Sequence, residues 1–366
     1  MEGGAAHAAL VDEPRAVRPG EEIDSAALDA FLARALPELT GALTVEQFPR
    51  GFSNLTYLVV KGGRELVLRR PPRGAAIKSA HDMGREHRIL SALAPAYAKA
   101  PRPLAFCEDA AVLGAPFYLM ERVRGVILRG GTAATALRPD ERRAISESLV
   151  DALAELHALD HRQPGLADLG HGEGYVERQV KGWTARYQAA RTADLPAMER
   201  VAPWLEAHRP PASDRALIHN DFKHDNVVLD PARIDRVRAV LDWEMATVGD
   251  PLMDLGTTLA YWVDADDPPA LRAAGFVDVT SQPGSLRRRE VAERYGQATG
   301  RDLSHLPFYY AFGLFKVAVI AQQIYARFVQ GHTKDPRFAR LDAAVAACAG
   351  AAARVAETGR IDELGR

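Results

Sequence analysis

Leu217-Ile218-His219-Asn220-Asp221-Phe222-Lys223-His224-Asp225-Asn226-Val227-Val228-Leu229 sets a polar loop between two apolar flanks. Within it His219, Asp221 and Asn226 stand in the order H-x-D-x-x-x-x-N. Farther on, Ala239-Val240-Leu241-Asp242-Trp243-Glu244 reads as an apolar strand that ends in an acid. Phosphoryl transfer needs a group that orients the attacking hydroxyl and takes its proton, and oxygen ligands that hold magnesium on the phosphates. Asp221 suits the first need. Asn226 and Asp242 suit the second, because magnesium prefers hard oxygen donors. Asp and Asn also favour turns for reasons of their own, so the loop alone would fit a polar turn. The strand ending in Asp242 at the right separation is what favours chemistry. His219 reads as a support for the loop. Zinc on His219 and His224 is the weaker alternative, since the nearby acids suit magnesium better.

Upstream of this core, residues 1–22 are rich in Ala, Gly and Glu and read as an irregular segment. A short helix follows, with Leu28, Phe31, Leu32 and Leu36 on one face. Thr44 to Phe48, Leu55 to Val60 and Glu65 to Arg69 read as strands, the last two joined by the Lys61-Gly62-Gly63 turn. Residues 80–93 form a helix containing Glu86, and strands are expected at Pro103–Cys107 and Pro116–Glu121. Beyond Val123 the texture turns helical, with strong patterns at 140–159, 176–190 and 197–207. A β-rich island covers 216–242, and helices dominate after Leu252. Gly170, Gly172 and Gly174 lack a preceding strand and read as a loop. The fold class is therefore α+β: residues 23–123 form a small β-rich lobe and 124–366 a larger, mostly helical one.

The chain has 366 residues, 47% of them hydrophobic, enough for two such units. A formal net charge of -2, well interspersed, gives no basic face for nucleic acid. Cys107 and Cys348 form no C-x-x-C pair, so neither a disulfide framework nor a cysteine zinc site is expected. No secretory signal precedes residue 25. The apolar run Ala311–Ile320 is a buried-helix candidate, too short for a bilayer. A soluble cytoplasmic enzyme, without a membrane partner, is the expectation.

The runs "LIHNDFKHDNVVLD" (217–230) and "VRAVLDWEMATVGDPLMDLGTTLAYW" (237–262) resemble the aminoglycoside phosphotransferase family, small-molecule kinases that share the protein-kinase fold. The resemblance implies a bilobal protein-kinase-like architecture, ATP and Mg2+ as cofactors, Asp221 as catalytic base, and Asn226 and Asp242 as metal ligands. Asp250 and Asp254 more naturally hold the following turn and helix start. Gly51, Ser53 and Asn54 fall where such a fold covers the nucleotide with a hairpin, letting backbone N–H groups approach phosphate. Arg69 stands where the family usually carries a lysine, with Glu86 as its helix partner. Its fork is not equivalent to an ammonium, so either an arginine does the phosphate work or the nucleotide site is weakened. Backbone atoms near Glu121 and Val123 are expected to meet adenine.

Asp242 is followed so closely by Asp254 and a new helix that little room is left for a peptide platform, which favours a small hydroxyl substrate. The runs "VLRRPPRGAAIKSAHDMGREHRIL" and "GHGEGYVERQVKGWTARYQAA" resemble the kinase domain fused to acyl-CoA dehydrogenases, which implies a hydroxyacyl-CoA of the 4-hydroxyacyl type as acceptor. Tyr175, Arg178, Gln179 and Trp183 share a helix face at i, i+3, i+4 and i+8. They would line the acceptor site, or pack Trp183 into the core with Arg178 in solvent. Lys223, in a chain with seven lysines, would neutralise the transferred phosphoryl group, or be a solvated loop charge. An aminoglycoside, a choline-like amine or a sugar is the alternative acceptor. A nucleotide-binding pseudokinase has Arg69 as its only support. No Walker P-loop occurs.

Overall fold

A computed structural model describes residues 7–49, 54–72, 82–129, 135–170, 172–211, 214–274, 278–333 and 335–365. Gly51 and Ser53 lie outside these. Helix α1 (Ser25–Ala35) starts on Asp24, whose carboxylate accepts from Ala26 and Ala27 N–H (3.0 and 2.9 Å). Five antiparallel strands follow: β1 (Leu43–Gln47), β2 (Leu55–Lys61), β3 (Arg64–Arg70), β4 (Pro103–Cys107) and β5 (Phe117–Glu121), in the sheet order β1-β2-β3-β5-β4. Between β3 and β4 runs α2 (Met83–Leu93), capped by Asp82. A single turn, α3 (Ala110–Leu113), precedes β5.

The two-residue period of β3 explains its double burial. Leu66 and Leu68 face Leu28, Phe31 and Leu32 of α1, with Tyr57 and Phe117 beside them. Val67 belongs to the other face, with Ile89 and Leu90 of α2. Arg69 follows Val67 on that second face, opposite Tyr118 of β5. The strand that builds the sheet thereby aims one guanidinium between the lobes.

The larger lobe contains α4 (Pro139–His157), α5 (Tyr175–Ala190), α6 (Pro196–Ala207), α7 (Pro251–Ala260), α8 (Pro269–Arg272), α9 (Arg288–Thr299), α10 (Leu306–Val329) and α11 (Leu341–Thr358). Helix α4 opens on Pro139 with Asp140 and Glu141 in its first turn, as the helix dipole favours. Its Ile145, Leu149, Leu153 and Leu156 are buried. Two hairpin-like pairs stand among the helices. Strand β6 (Ala216–Ile218) pairs with β9 (Thr247–Gly249), and β7 (Val227–Leu229) with β8 (Val237–Val240).

The apolar run expected at 311–320 is part of the 24-residue α10, which by length and composition could cross a membrane. The apolar run is thus longer than expected, and its Phe308, Tyr310, Phe312, Phe315 and Val319 are buried in the lobe's core. Helix α10 crosses α7 at two glycines. A Cβ on Gly313 would stand 2.1 Å from Gly256 O, and one on Gly256 2.2 Å from Tyr309 O.

Residues 7–22 carry one 3-10 turn, Ala8–Leu10, and are tied down at several points. Val11 bridges Val126, and Arg15 pairs with Gln47 of β1. His7 meets Glu141 of α4 at 3.2 Å. Glu13 is gripped by Arg122 (2.9 Å) and Arg124 (2.6 Å) of the lobe-to-lobe connection.

Candidate active site

The loop after β6 turns sharply at Asn220, whose φ is 67°. Asp254, near the start of α7, holds the turn: its two carboxylate oxygens accept from the N–H groups of His219 (2.6 Å) and Asn220 (2.8 Å). His157 of α4 meets the same carboxylate at 3.1 Å. Burial would raise Asp254, but His157 and the backbone donor hold it below the ordinary aspartate value. Asp250 caps α7 through Leu252 N–H (2.8 Å) and accepts from Tyr309 Oη (2.9 Å). Both acids hold backbone N–H groups, and His219 braces the same loop. Its Nε2 donates to Leu241 O (2.9 Å), leaving Nδ1 to accept from Asp221 N–H (3.2 Å).

Asp221 keeps a side chain 20% exposed. Its carboxylate accepts from Asn226 Nδ2 (3.0 Å) and lies 3.0 Å from Lys223 Nζ. Asn226 Nδ2 donates also to Asp221 O (2.9 Å), which turns the amide oxygen the other way. The backbone of Asn226 accepts from Leu241 N–H (2.8 Å), so the residue before Asp242 is tied to the loop. Lys223 Nζ stands 4.8 Å from the centre of the Tyr261 ring.

Asp242 also adopts a left-handed φ, 68°. Its Oδ1 accepts from Arg69 Nη2 at 3.0 Å, while Arg69 Nη1 donates to Glu86. Burial would raise the Asp242 carboxyl, but the Arg69 guanidinium holds it below its ordinary value. Trp243 N–H donates to the same Glu86 oxygen (3.2 Å). Glu244 adds a third acid, 3.9 Å from Arg69, with Oε2 accepting from Asn54 Nδ2 (2.8 Å). Burial, then the charge of Asp242, pushes Glu244 up to about 8. Arg85 of α2 donates to the backbone oxygens of Glu244 and Ala246 (2.8 Å to the latter), docking the helix on this turn.

The donor chemistry fits a magnesium ion. Three acids, Glu86, Asp242 and Glu244, stand around one guanidinium, that of Arg69. Among the described residues no three Asp, Glu, His or Cys side chains form a metal cage. Magnesium seldom uses one, taking one or two protein carboxylates together with phosphate oxygens. Asp242 and the Asn226 amide oxygen are the groups that would hold it.

Residues 44–304 match the family model for the APH phosphotransferase enzyme family. The chain belongs to this family. A solved Ralstonia eutropha chain described as a candidate aminoglycoside phosphotransferase is 33% identical, with a TM-score of 0.76 over 92% of this chain and 99% of that one. Acyl-CoA dehydrogenase family member 11 of Gallus gallus is 38% identical over 86% of this chain, and member 10 of Mus musculus 38% over 89%. The chain spans only 41% and 30% of those relatives' lengths. The ternary complex of aminoglycoside phosphotransferase APH(4)-Ia with AMP-PNP and hygromycin B is 19% identical, with a TM-score of 0.60, covering 91% of this chain and 100% of that one; it matches in fold.

In this phosphotransferase the sequence-predicted residues Asp221, Lys223, Asn226, Asp242, Arg69 and Glu86 form one connected cluster. Asn54 joins it through Glu244. Glu121 ends β5 and accepts from Arg102 N–H (3.1 Å), and Val123 lies in the connection between the lobes. Helix α5 divides its expected face. Tyr175 and Trp183 are buried, and Gln179 Oε1 accepts from Trp183 Nε1 (3.1 Å). Arg178 is exposed and turns back to Glu173 O. Tyr175 Oη donates to Asn220 Oδ1 (3.0 Å), so that end of α5 reaches the loop that carries Asp221. Sequence reasoning missed Glu244, Arg85, Tyr261 and Lys316. Glu244 lay in plain view two residues after Asp242, but only burial distinguishes it from a surface acid.

Proposed function

We propose that this phosphotransferase transfers the γ-phosphoryl group of ATP, with magnesium, to a hydroxyl of a small molecule, and that Asp221 is the base. The observation that carries this is the coupling of the Asp221 loop to the Asp242 strand: Leu241 N–H donates to Asn226 O, and Asn226 Nδ2 donates to Asp221. The Asp221 carboxylate, held by Asn226, Lys223 and Tyr261 but still 20% exposed, would orient a hydroxyl and accept its proton as the oxygen attacks phosphorus. Lys223, beside it, carries positive charge to where the transferred group gathers negative charge. Asn226 and Asp242 would hold the metal, which when bound neutralises phosphate charge. Arg69, fixed on Glu86, presents its guanidinium beside that position.

For the acceptor we propose a 4-hydroxyacyl-CoA. Its support is the similarity, at 38% identity, to two acyl-CoA dehydrogenase family members. An aminoglycoside is the second reading, favoured by the description of the Ralstonia eutropha chain. ATP consumption measured with 4-hydroxyacyl-CoA and with aminoglycosides separates the two. Turnover of the amines alone would end the acyl-CoA reading. The base is tested by Asp221→Asn, which should lower kcat by about 10²–10⁴-fold while binding of an ATP analogue persists. Unchanged turnover would remove Asp221 from the role.

A further inference from the structure

Lys316 lies in α10, in the core of the large lobe, and is 2% exposed. Its Nζ donates to the main-chain oxygen of Asn220 at 2.7 Å. No carboxylate stands within ion-pair distance of it among the described residues. A buried ammonium without a paired anion is costly, and a methionine of similar length would avoid that cost. What it holds is the residue immediately before Asp221.

Every polar group of Asn220 is engaged. Its N–H donates to Asp254, its Oδ1 accepts from Tyr175, and its Nδ2 donates to Met245 O (3.1 Å). Lys316 takes the remaining carbonyl. The left-handed backbone there costs on the order of 1 kcal/mol and persists because its surroundings over-determine it. Four elements thus converge on one residue, and the peptide they fix sets the direction of the Asp221 side chain.

We propose that Lys316 is a positioning residue for phosphoryl transfer: its ammonium fixes the Asn220–Asp221 peptide and sets positive charge behind the Asp221 carboxylate, so that turnover requires the protonated lysine. This rests on Asp221 being the base.

The charged groups around Lys316 are Asp221 and Lys223 from the loop, Asp254 from α7 and Arg186 from α5, with the Trp183 ring centre 5.7 Å away. Burial pulls Lys316 down to about 8, the two aspartates oppose this, and Lys223 and Arg186 add to it. In the folded protein the lysine is charged below about pH 8 and loses its proton above it. Activity that depends on the charge is therefore present below that pH and falls as pH rises through it. Stability moves the other way. Between about 8 and the ordinary 10.5 the unfolded chain retains a proton that the fold has lost, so this group's contribution improves with pH. A lysine that only packed the core would show the second effect without the first.

The experiment measures kcat and KM for ATP across the neutral to alkaline range for the wild type, Lys316→Met and Lys316→Arg. A 4-hydroxyacyl-CoA is the acceptor, or an aminoglycoside if only that is turned over. A fluorescent ATP analogue reports binding, and circular dichroism reports folding. Lys316→Met should lose about 10²-fold in kcat, the scale of a displaced reacting group, with analogue affinity unchanged. Lys316→Arg should restore turnover near neutrality and abolish the alkaline fall, because a guanidinium stays charged. Wild-type kcat in Lys316→Met overturns the proposal, and so does an alkaline fall in Lys316→Arg at the wild-type pH. If the methionine variant does not fold, the arginine profile decides alone. Asp221→Asn fails or holds independently of either variant, so loss of the base reading is told apart from loss of this one.

Discussion

Arg69 reaches Glu86 and Asp242 with separate nitrogens of one planar group. An ammonium in its place would present no such fork, so lysine would not be equivalent at this position. Arg69→Met leaves buried acids without their counter-ion and should lower the unfolding free energy by about 3–5 kcal/mol. Urea denaturation of the nucleotide-free protein measures this, and an unchanged midpoint would show that the acids are satisfied otherwise. Asp221, Asn226 and Asp242 were legible from spacing because their chemistry dictates an order along the chain, whereas Glu86 was given its role only through the family resemblance. Glu244 and Lys316 were not. Their significance lies in what covers them, and their neighbours Asn54 and Asn220 are remote in sequence.

At the scale of elements, Gly256 and Gly313 set how closely α7 and α10 approach. Gly313→Ala would drive a methyl into the Gly256 carbonyl, 2.1 Å from its ideal Cβ position. Backbone cannot swing aside as a side chain can, so the variant should lose about 1–3 kcal/mol, read as a lower Tm. Retained Tm would mean that the helices slide apart freely. Because α7 carries Asp254, a lower kcat should accompany any such sliding. Periodicity placed β1 to β5 and α4 to α6 to within a residue or two, while the helices after Leu252 were expected only as a group. The three-residue β9 was missed because so short a strand has no period to read. The length of α10 was missed because Lys316, Gln322 and Gln323 interrupt its apolar run, although each is accommodated inside the helix.

For the whole molecule, the pairing of a small sheet-bearing part with a mostly helical remainder was legible from the change of texture along the chain, whereas the means by which distant segments are fastened was not. Arg288 is an example. It is fully buried and joins three regions: Asp267 (2.5 and 2.6 Å), Trp262 O (2.9 Å) and, near the end of the chain, Ile361 O (2.7 Å). No periodicity marks this residue in a helix start rich in arginine. Arg288→Met strands Asp267 and also Asp264, 3.5 Å from the same guanidinium, and should cost about 3–5 kcal/mol. Loss of that size by urea titration, with nucleotide affinity retained under native conditions, is expected; a variant as stable as wild type would refute the role.

The segment before Ile23 runs from α4 to β1 past the connection between the lobes, touching Glu141, Val126 and Gln47 on its way. Mechanically the joint is therefore double-stranded: one strand is the covalent linker, and the other is a strip laid along it and fastened at both ends. Removal of residues 1–22 should leave each half intact and loosen their mutual orientation, visible as faster amide exchange at Arg122–Val126.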